Sequence, residues 1–426
     1  MPKKIVLCCD GTGNQFGDQN SNVVKLYQCL IKDEKQVTYY HPGVGTMGSS
    51  NALSAAGKWW TKIIGLAFGY GISDNIADAY QFLMHNYQED GDQLFVFGFS
   101  RGAYTARALC GMLHMVGLLR PGHEGLIPYA IRLVKRHHIQ GKDFDIADDF
   151  KQTFSRECKP YFLGLWDTVK SLGWVYNPVS FPYTTASSNP DLRIIRHAIS
   201  IDERRAFFRQ NSFGKPCSQA NPPQDLVEAW FAGVHSDVGG SYPESKSQLS
   251  KIALKWMLAE AEAAGLLVDQ EWKFDILGGR PAKKPKSYSL QPDWVAPDAT
   301  TKNQHESLNK WWWIAELWPK VVRIDASQNR LLAWMRKLWN KARFWAKDKV
   351  KDMWFSWFRI NRGRRRIIPD GALFHESVQQ RLDATNIRYR PSNLPADIQA
   401  NKFKIPTDSL VKDTAPKASA ASGPGQ

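Results

Sequence analysis

The chain has 426 residues, 43% hydrophobic and 23% charged, which excludes global disorder, a collagen-like repeat and a multi-span membrane protein. Two values stand out: a formal net charge of +15 and 17 Trp. Six scattered Cys without paired spacing imply neither a disulfide framework nor a metal site, so a reducing cytosol is the expected folding compartment.

From the N-terminus, Met1 to Lys4 precede only the apolar run Ile5–Cys9 before Asp10, too short for a signal-peptide core. No apolar run approaches the ~20 residues of a membrane-spanning helix. The expectation is a chain made in the cytoplasm, whose membrane contact is peripheral. Ile5–Cys9 reads as a buried strand, 22–31 as a helix and 37–40 as a strand, followed by a Gly-rich loop over 43–48. Helices are predicted over 53–70 and 74–87, the second with Ile76, Tyr80, Leu83, Met84 and Tyr87 on one stripe. A strand at 94–97 leads into a helix over 101–116. Further strands are expected at 161–166, 194–199 and 227–234, and a helix over 250–264 stops at Gly265. Strands alternating with helices predict an α/β fold, a doubly wound and mostly parallel sheet covered on both faces, with a C-terminal basic, Trp-rich helical appendage. The expected division is an α/β core over 1–275, a basic Trp-rich helical module over 276–400 that returns to the core, and a largely disordered tail over 401–426.

Gly98-Phe99-Ser100-Arg101-Gly102 is a G-x-S-x-G pattern between that strand and that helix. This is the setting of a nucleophile elbow, where a strained Ser needs small residues two positions to either side. The helix N-terminus aims backbone N–H groups at a developing oxyanion, and the Arg101 N–H would be the first such donor. A Ser nucleophile needs a base, and the base an orienting carboxylate, in the chain order Ser, Asp, His on this fold. Asp167 directly follows one strand and His235 another, which fits that order. His375 is the runner-up base, and Asp202 and Asp237 are the other candidate acids. His41 precedes the Ser and so has the wrong order; His114, His137, His138 and His197 read as packing or solvated residues. No metal and no organic cofactor is required by this chemistry.

Asp10-Gly11-Thr12-Gly13-Asn14 admits three readings: a phosphate cradle, a phosphatase-type aspartate loop, or an early loop whose Gly11 or Thr12 N–H is the second oxyanion donor. The first lacks G-K-[ST] and the second has Cys8 where a second Asp is needed, so the third is preferred.

These landmarks, with Leu165-Trp166-Asp167-Thr168-Val169 and Gly233-Val234-His235-Ser236-Asp237-Val238-Gly239-Gly240, resemble a bacterial and fungal family of predicted α/β hydrolases. That family was long labelled a domain of unknown function and includes phospholipase effectors of type VI secretion systems. The resemblance covers roughly residues 3–265, with a further match at His375-Glu376-Ser377-Val378 and Arg381. It implies the triad Ser100, Asp167 and His235, ester hydrolysis, and glycerophospholipid substrates in the effector members. For an effector it also implies export from the cytoplasm, with a secretion adaptor and an immunity protein as partners.

The +15 charge is local. Residues 320–366 hold 15 Lys and Arg against three Asp, a net of +12, and 311–366 hold nine of the 17 Trp. Trp339, Trp345, Trp354 and Trp357 fall near one helical stripe, with Arg364, Arg365 and Arg366 closing the run. A basic helix with indoles on one face is the pattern of a helix lying on a phospholipid surface. Packing against the core is the second reading, and nucleic-acid binding ranks last. The expected function is therefore a serine-dependent carboxylic ester hydrolase, a phospholipase or lipase acting on membrane glycerophospholipids. The alternatives are an esterase for small acyl esters, or a non-catalytic membrane- or nucleic-acid-binding protein using the basic segment.

Overall fold

A computed structural model describes residues 2–11, 17, 19–43, 71–88, 91–136, 142–169, 181–205, 208–279, 294–309, 312–313, 316, 320–321, 358–359 and 363–395. The predicted helix over 53–70, His137, His138, Trp339, Trp345, Trp354 and Trp357 lie outside the described residues.

The elements are β1 (Lys4–Cys9), α1 (Asn22–Cys29), β2 (Gln36–His41), α2 (Ile72–Asn86), β3 (Gln93–Phe99) and α3 (Arg101–Val116). There follow α4 (Ile127–Arg136), α5 (Lys142–Phe154), β4 (Pro160–Trp166), β5 (Ile194–Ser200) and β6 (Asp225–Phe231). The last group is α6 (His235–Gly239), α7 (Gln248–Ala263), α8 (Gln270–Ile276), β7 (Leu373–Phe374) and α9 (Glu376–Asp383). The seven strands form one sheet in the order β7-β6-β5-β4-β3-β1-β2, and each neighbouring pair is parallel. Helices α4 and α5 are not announced by the strand–helix alternation. Nor are α6, α8, β7 and α9, whereas the sheet's other strands and the other α-helices up to residue 265 lie within a few residues of their predicted bounds.

Parallel strands joined by helical crossovers must be covered on both faces, which explains why the central strands read as unbroken apolar runs. Ile5, Leu7, Leu94 and Val96 point into one core layer against α2, α3, α4 and α5. Their alternates Val6, Cys8, Phe95 and Phe97 point into the other, against α1 and α7. Each such side chain contributes about 1.5–3 kcal/mol by leaving water. Helix α3 is not amphipathic. Almost its whole length is buried, because Gly102, Ala103, Ala106 and Ala108 let it lie close on the sheet.

The seventh strand comes from beyond the boundary drawn at residue 275. β7 pairs with β6, and Phe374 and Val378 pack with Ile199, Ile201, Trp230 and Tyr389 in a third apolar cluster. Arg381 donates to the carbonyls of Ala299 and Thr301, which ties α9 to the 294–309 segment. Among the described residues no helix is long and apolar enough to cross a membrane.

Candidate active site

The sheet order reverses between β1 and β3: the chain leaves β1 toward β2 on one side and returns to β3 on the other. In parallel α/β sheets the crevice beyond the strand C-termini at such a point is where ligands bind. Asp10 follows β1 and Ser100 follows β3, so both stand there.

Ser100 has φ 59° and ψ −119°, a conformation that L-residues seldom adopt and that lifts its side chain out of the strand-to-helix turn. Its N–H donates to Trp166 O at 3.0 Å and its carbonyl accepts from Val169 N–H at 3.3 Å, so β4 holds the turn in place. The flanking glycines are steric requirements. A Cβ on Gly98 would stand 2.7 Å from Ala103 Cα, and one on Gly102 would stand 2.2 Å from the Cys9 carbonyl oxygen.

Ser100 Oγ lies 2.8 Å from His235 Nε2, and His235 Nδ1 lies 2.6 Å from Asp167 Oδ2. All three residues are buried. The imidazole sits between Phe99 and Phe208, with ring centroids at 4.7 and 4.8 Å. Glu203 Oε2 accepts the His235 N–H at 3.2 Å and fixes the start of α6. Asp167 also accepts from Ser200 N–H at 2.9 Å and Ser200 Oγ at 3.1 Å.

Burial alone would push the Asp167 pKa up. The Arg366 guanidinium and the His235 hydrogen bond outweigh it and hold the carboxyl well below the usual carboxylate range. Burial pulls His235 below its usual 6.5, against the opposing pull of the Asp167 hydrogen bond. With Asp167 ionised, the imidazole proton belongs on Nδ1, which leaves Nε2 to accept from the Ser100 hydroxyl. Burial likewise works against Glu203, but Arg205 and then Arg366 bring it down to about 2.

The other sequence candidates occupy separate places. His375 caps α9, accepting from Ser377 N–H at 3.2 Å and stacking on Phe231; neither Ser100 nor Asp167 bonds it. Asp202 accepts from Gly233 N–H, Tyr389 OH and Arg365, and Asp237 pairs with His305 at 2.6 Å. His197 bridges Glu228 and the Thr168 N–H inside the sheet. Asp10 accepts from Gly11 N–H at 2.6 Å, Ser21 Oγ at 2.7 Å and Tyr40 OH at 2.9 Å, so it anchors its loop to α1 and β2. The Gly11 N–H, a candidate oxyanion donor, is thus bonded to the Asp10 carboxylate in this arrangement. Thr12 lies outside the described residues.

The arginine run needs a larger correction. Arg364 is exposed, but Arg365 pairs with Asp202 at 2.6 Å. Arg366 is buried and donates to both Asp167 oxygens, to Ser200 Oγ at 2.9 Å and to Phe208 O. Arg366 is thereby turned inward, whereas Arg365 remains 31% exposed beside Asp202. Composition could not reveal this: the two partners lie far away in sequence and become neighbours only when 363–395 folds onto β5 and β6. Among the described residues no group of three or more His, Cys, Asp and Glu could hold a metal ion.

A parallel α/β sheet that carries a hydrogen-bonded Ser–His–Asp chain at its strand C-termini, with the Ser on a strained elbow, has the architecture of an α/β hydrolase. Residues 3–260 match the T6SS phospholipase effector Tle1-like catalytic domain, and the chain belongs to that family. It is 25% identical over 577 aligned positions to the uncharacterized protein YEL023C of Saccharomyces cerevisiae (strain ATCC 204508 / S288c), covering 92% of this chain and 80% of that one. Two solved structures are similar. One, an uncharacterized protein from Pseudomonas aeruginosa, has 21% identity and a TM-score of 0.37 over 64% of this chain. This chain spans about half of it, 47% of its length. The other is a Tle1 effector bound to the VgrG spike of the type VI secretion system, with 16% identity and a TM-score of 0.39. It aligns with 63% of this chain and 74% of its own.

Proposed function

We propose that the protein is a serine-dependent phospholipase that cleaves acyl esters of membrane glycerophospholipids. The observation that carries this reading is the continuous chain from Ser100 Oγ through His235 to Asp167, at 2.8 and 2.6 Å. Family membership supports the phospholipid substrate.

His235 Nε2 takes the Ser100 proton as Oγ attacks the ester carbonyl. The negative charge that develops on the carbonyl oxygen meets the N-terminus of α3, where the Arg101 N–H is the proposed donor, with a second from the loop after β1. The imidazolium is stabilised by Asp167 and returns its proton to the leaving alcohol, giving an acyl-Ser100. Water, deprotonated by the same imidazole, then releases the fatty acid. The arrangement needs no cofactor for these steps.

The basic Trp-rich module is the proposed lipid-docking element, with Trp339, Trp345, Trp354, Trp357 and the exposed Arg364 as its contacts. A secretion adaptor of the kind bound by the Tle1 effector, and an immunity protein, are the proposed protein partners. Fatty-acid release from mixed phospholipid vesicles, measured beside hydrolysis of p-nitrophenyl butyrate, tests the assignment. Wild type is expected to hydrolyse both and Ser100→Ala neither. Activity that survives in Ser100→Ala refutes the mechanism, and activity on the short ester alone refutes the lipid substrate.

A further inference from the structure

We propose that Arg366 is a positioning residue of the hydrolytic site, clamping Asp167 so that His235 stays aligned with Ser100, and that the catalytic unit therefore extends beyond the family domain into 363–395. The inference rests on the hydrolase reading above.

The geometry is that of a guanidinium fork on a carboxylate. Nη1 meets Asp167 Oδ1 and Nη2 meets Oδ2 at 2.9 Å, a two-point contact that fixes the plane of the carboxylate as well as its charge. The same Nη1 donates to Ser200 Oγ, which itself donates to Asp167 Oδ2. Asp167 thus has its oxygens held from two sides while Oδ2 receives the His235 Nδ1–H. The clamp is in turn held by its own segment. Asn393 donates to both the Arg366 carbonyl and the Ile201 carbonyl, at 3.1 and 3.0 Å. Arg365 and Tyr389 grip Asp202, and β7 joins the sheet edge. Arg366 lies past the end of the 3–260 domain match, yet nothing within that domain supplies an equivalent cation to Asp167 among the described residues.

Electrostatics gives the proposal its signature. The charged groups facing His235 are Asp167 at the end of β4, with Glu203 and Arg205 in the loop after β5. Those facing Asp167 are His235 from α6 and Arg366 from the C-terminal segment. Removing the Arg366 cation leaves the Asp167 charge turned wholly on the imidazole, which favours the imidazolium. The acid limb of kcat/KM must then move to higher pH. Loosening the carboxylate also misaligns the base, so kcat falls by about 100-fold while KM changes little.

The test uses the full-length protein and three variants, with rate–pH profiles on p-nitrophenyl butyrate and the His235 Nδ1–H resonance followed by NMR against pH. Arg366→Met, neutral but space-filling, is expected to show the fall in kcat and an upward shift of both the acid limb and the His235 midpoint. Arg366→Lys, which keeps the cation and loses the fork, is expected to lower kcat with a smaller shift. An Arg366→Met protein whose acid limb and His235 midpoint match wild type overturns the proposal, even if its Tm is lower. If Arg366→Met does not fold, wild-type kcat in Arg366→Lys overturns it. Ser100→Ala separates the two layers: activity retained there removes the hydrolase reading, while the NMR midpoint in the Arg366 variants still decides the clamp.

Discussion

Gly102→Ala makes the sharpest demand on the geometry of the elbow. The added Cβ would stand 2.2 Å from the Cys9 oxygen, 2.4 Å from the Asp10 oxygen and 2.7 Å from the Asp10 carbonyl carbon. All three are backbone atoms at the end of β1, so no side chain can rotate away. Ordinary contact begins at 3.4 Å, so the first turn of α3 and the end of β1 must separate by about 1 Å. Ser100 is the N-cap of α3 and travels with it, which stretches the 2.8 Å bond to His235. Overpacking of this kind costs about 1–3 kcal/mol, or roughly 2–4 °C of Tm per kcal/mol in a domain of this size. A displacement of about 1 Å at the reacting atom costs about 100-fold in rate. The assay is kcat/KM for ester hydrolysis beside thermal unfolding, with Gly125→Ala as control, because a Cβ there meets nothing within 4 Å. Wild-type rate and Tm in Gly102→Ala, matching the control, would refute the close approach of the elbow to β1.

Burial lowers the His235 pKa, so the acid limb of kcat/KM should fall below pH 6.5. Asp167→Asn removes the opposing pull and should lower the plateau by about 10,000-fold, and a wild-type acid limb above pH 7 would refute burial as the dominant influence on His235. Glu244 holds two buried ammonium groups, Lys25 at 2.8 Å and Lys251 at 2.5 Å. Glu244→Gln leaves both without their counterion and should destabilise the fold by about 3–5 kcal/mol in urea unfolding. Lys25→Met in the same background should recover part of that loss.

What the sequence determined by itself is what is written in short-range pattern. The strand 94–97, the G-x-S-x-G turn and the helix 101–116 are contiguous, and the turn's steric needs are met by residues two positions away, so Ser100 could be placed before any fold was known. Asp167 and His235 were legible for a related reason. Each directly follows an apolar run, and a parallel sheet brings all its strand C-termini to one edge. Tertiary structure alone decided what those residues meet. Glu203, Ser200 and Arg366 carry no local signal, and Arg366 sat in a charge run whose composition pointed to a lipid surface. Charge in a sequence does not state whether the group is solvated or buried, since burial depends on an opposite charge supplied by packing. Here that partner, Asp167, stands 199 residues away. The basic excess first read as a single external face therefore divides: Arg364 is exposed, Arg365 is half-buried against Asp202, and Arg366 is buried against Asp167. Only the docking of 363–395 onto the sheet edge could tell them apart.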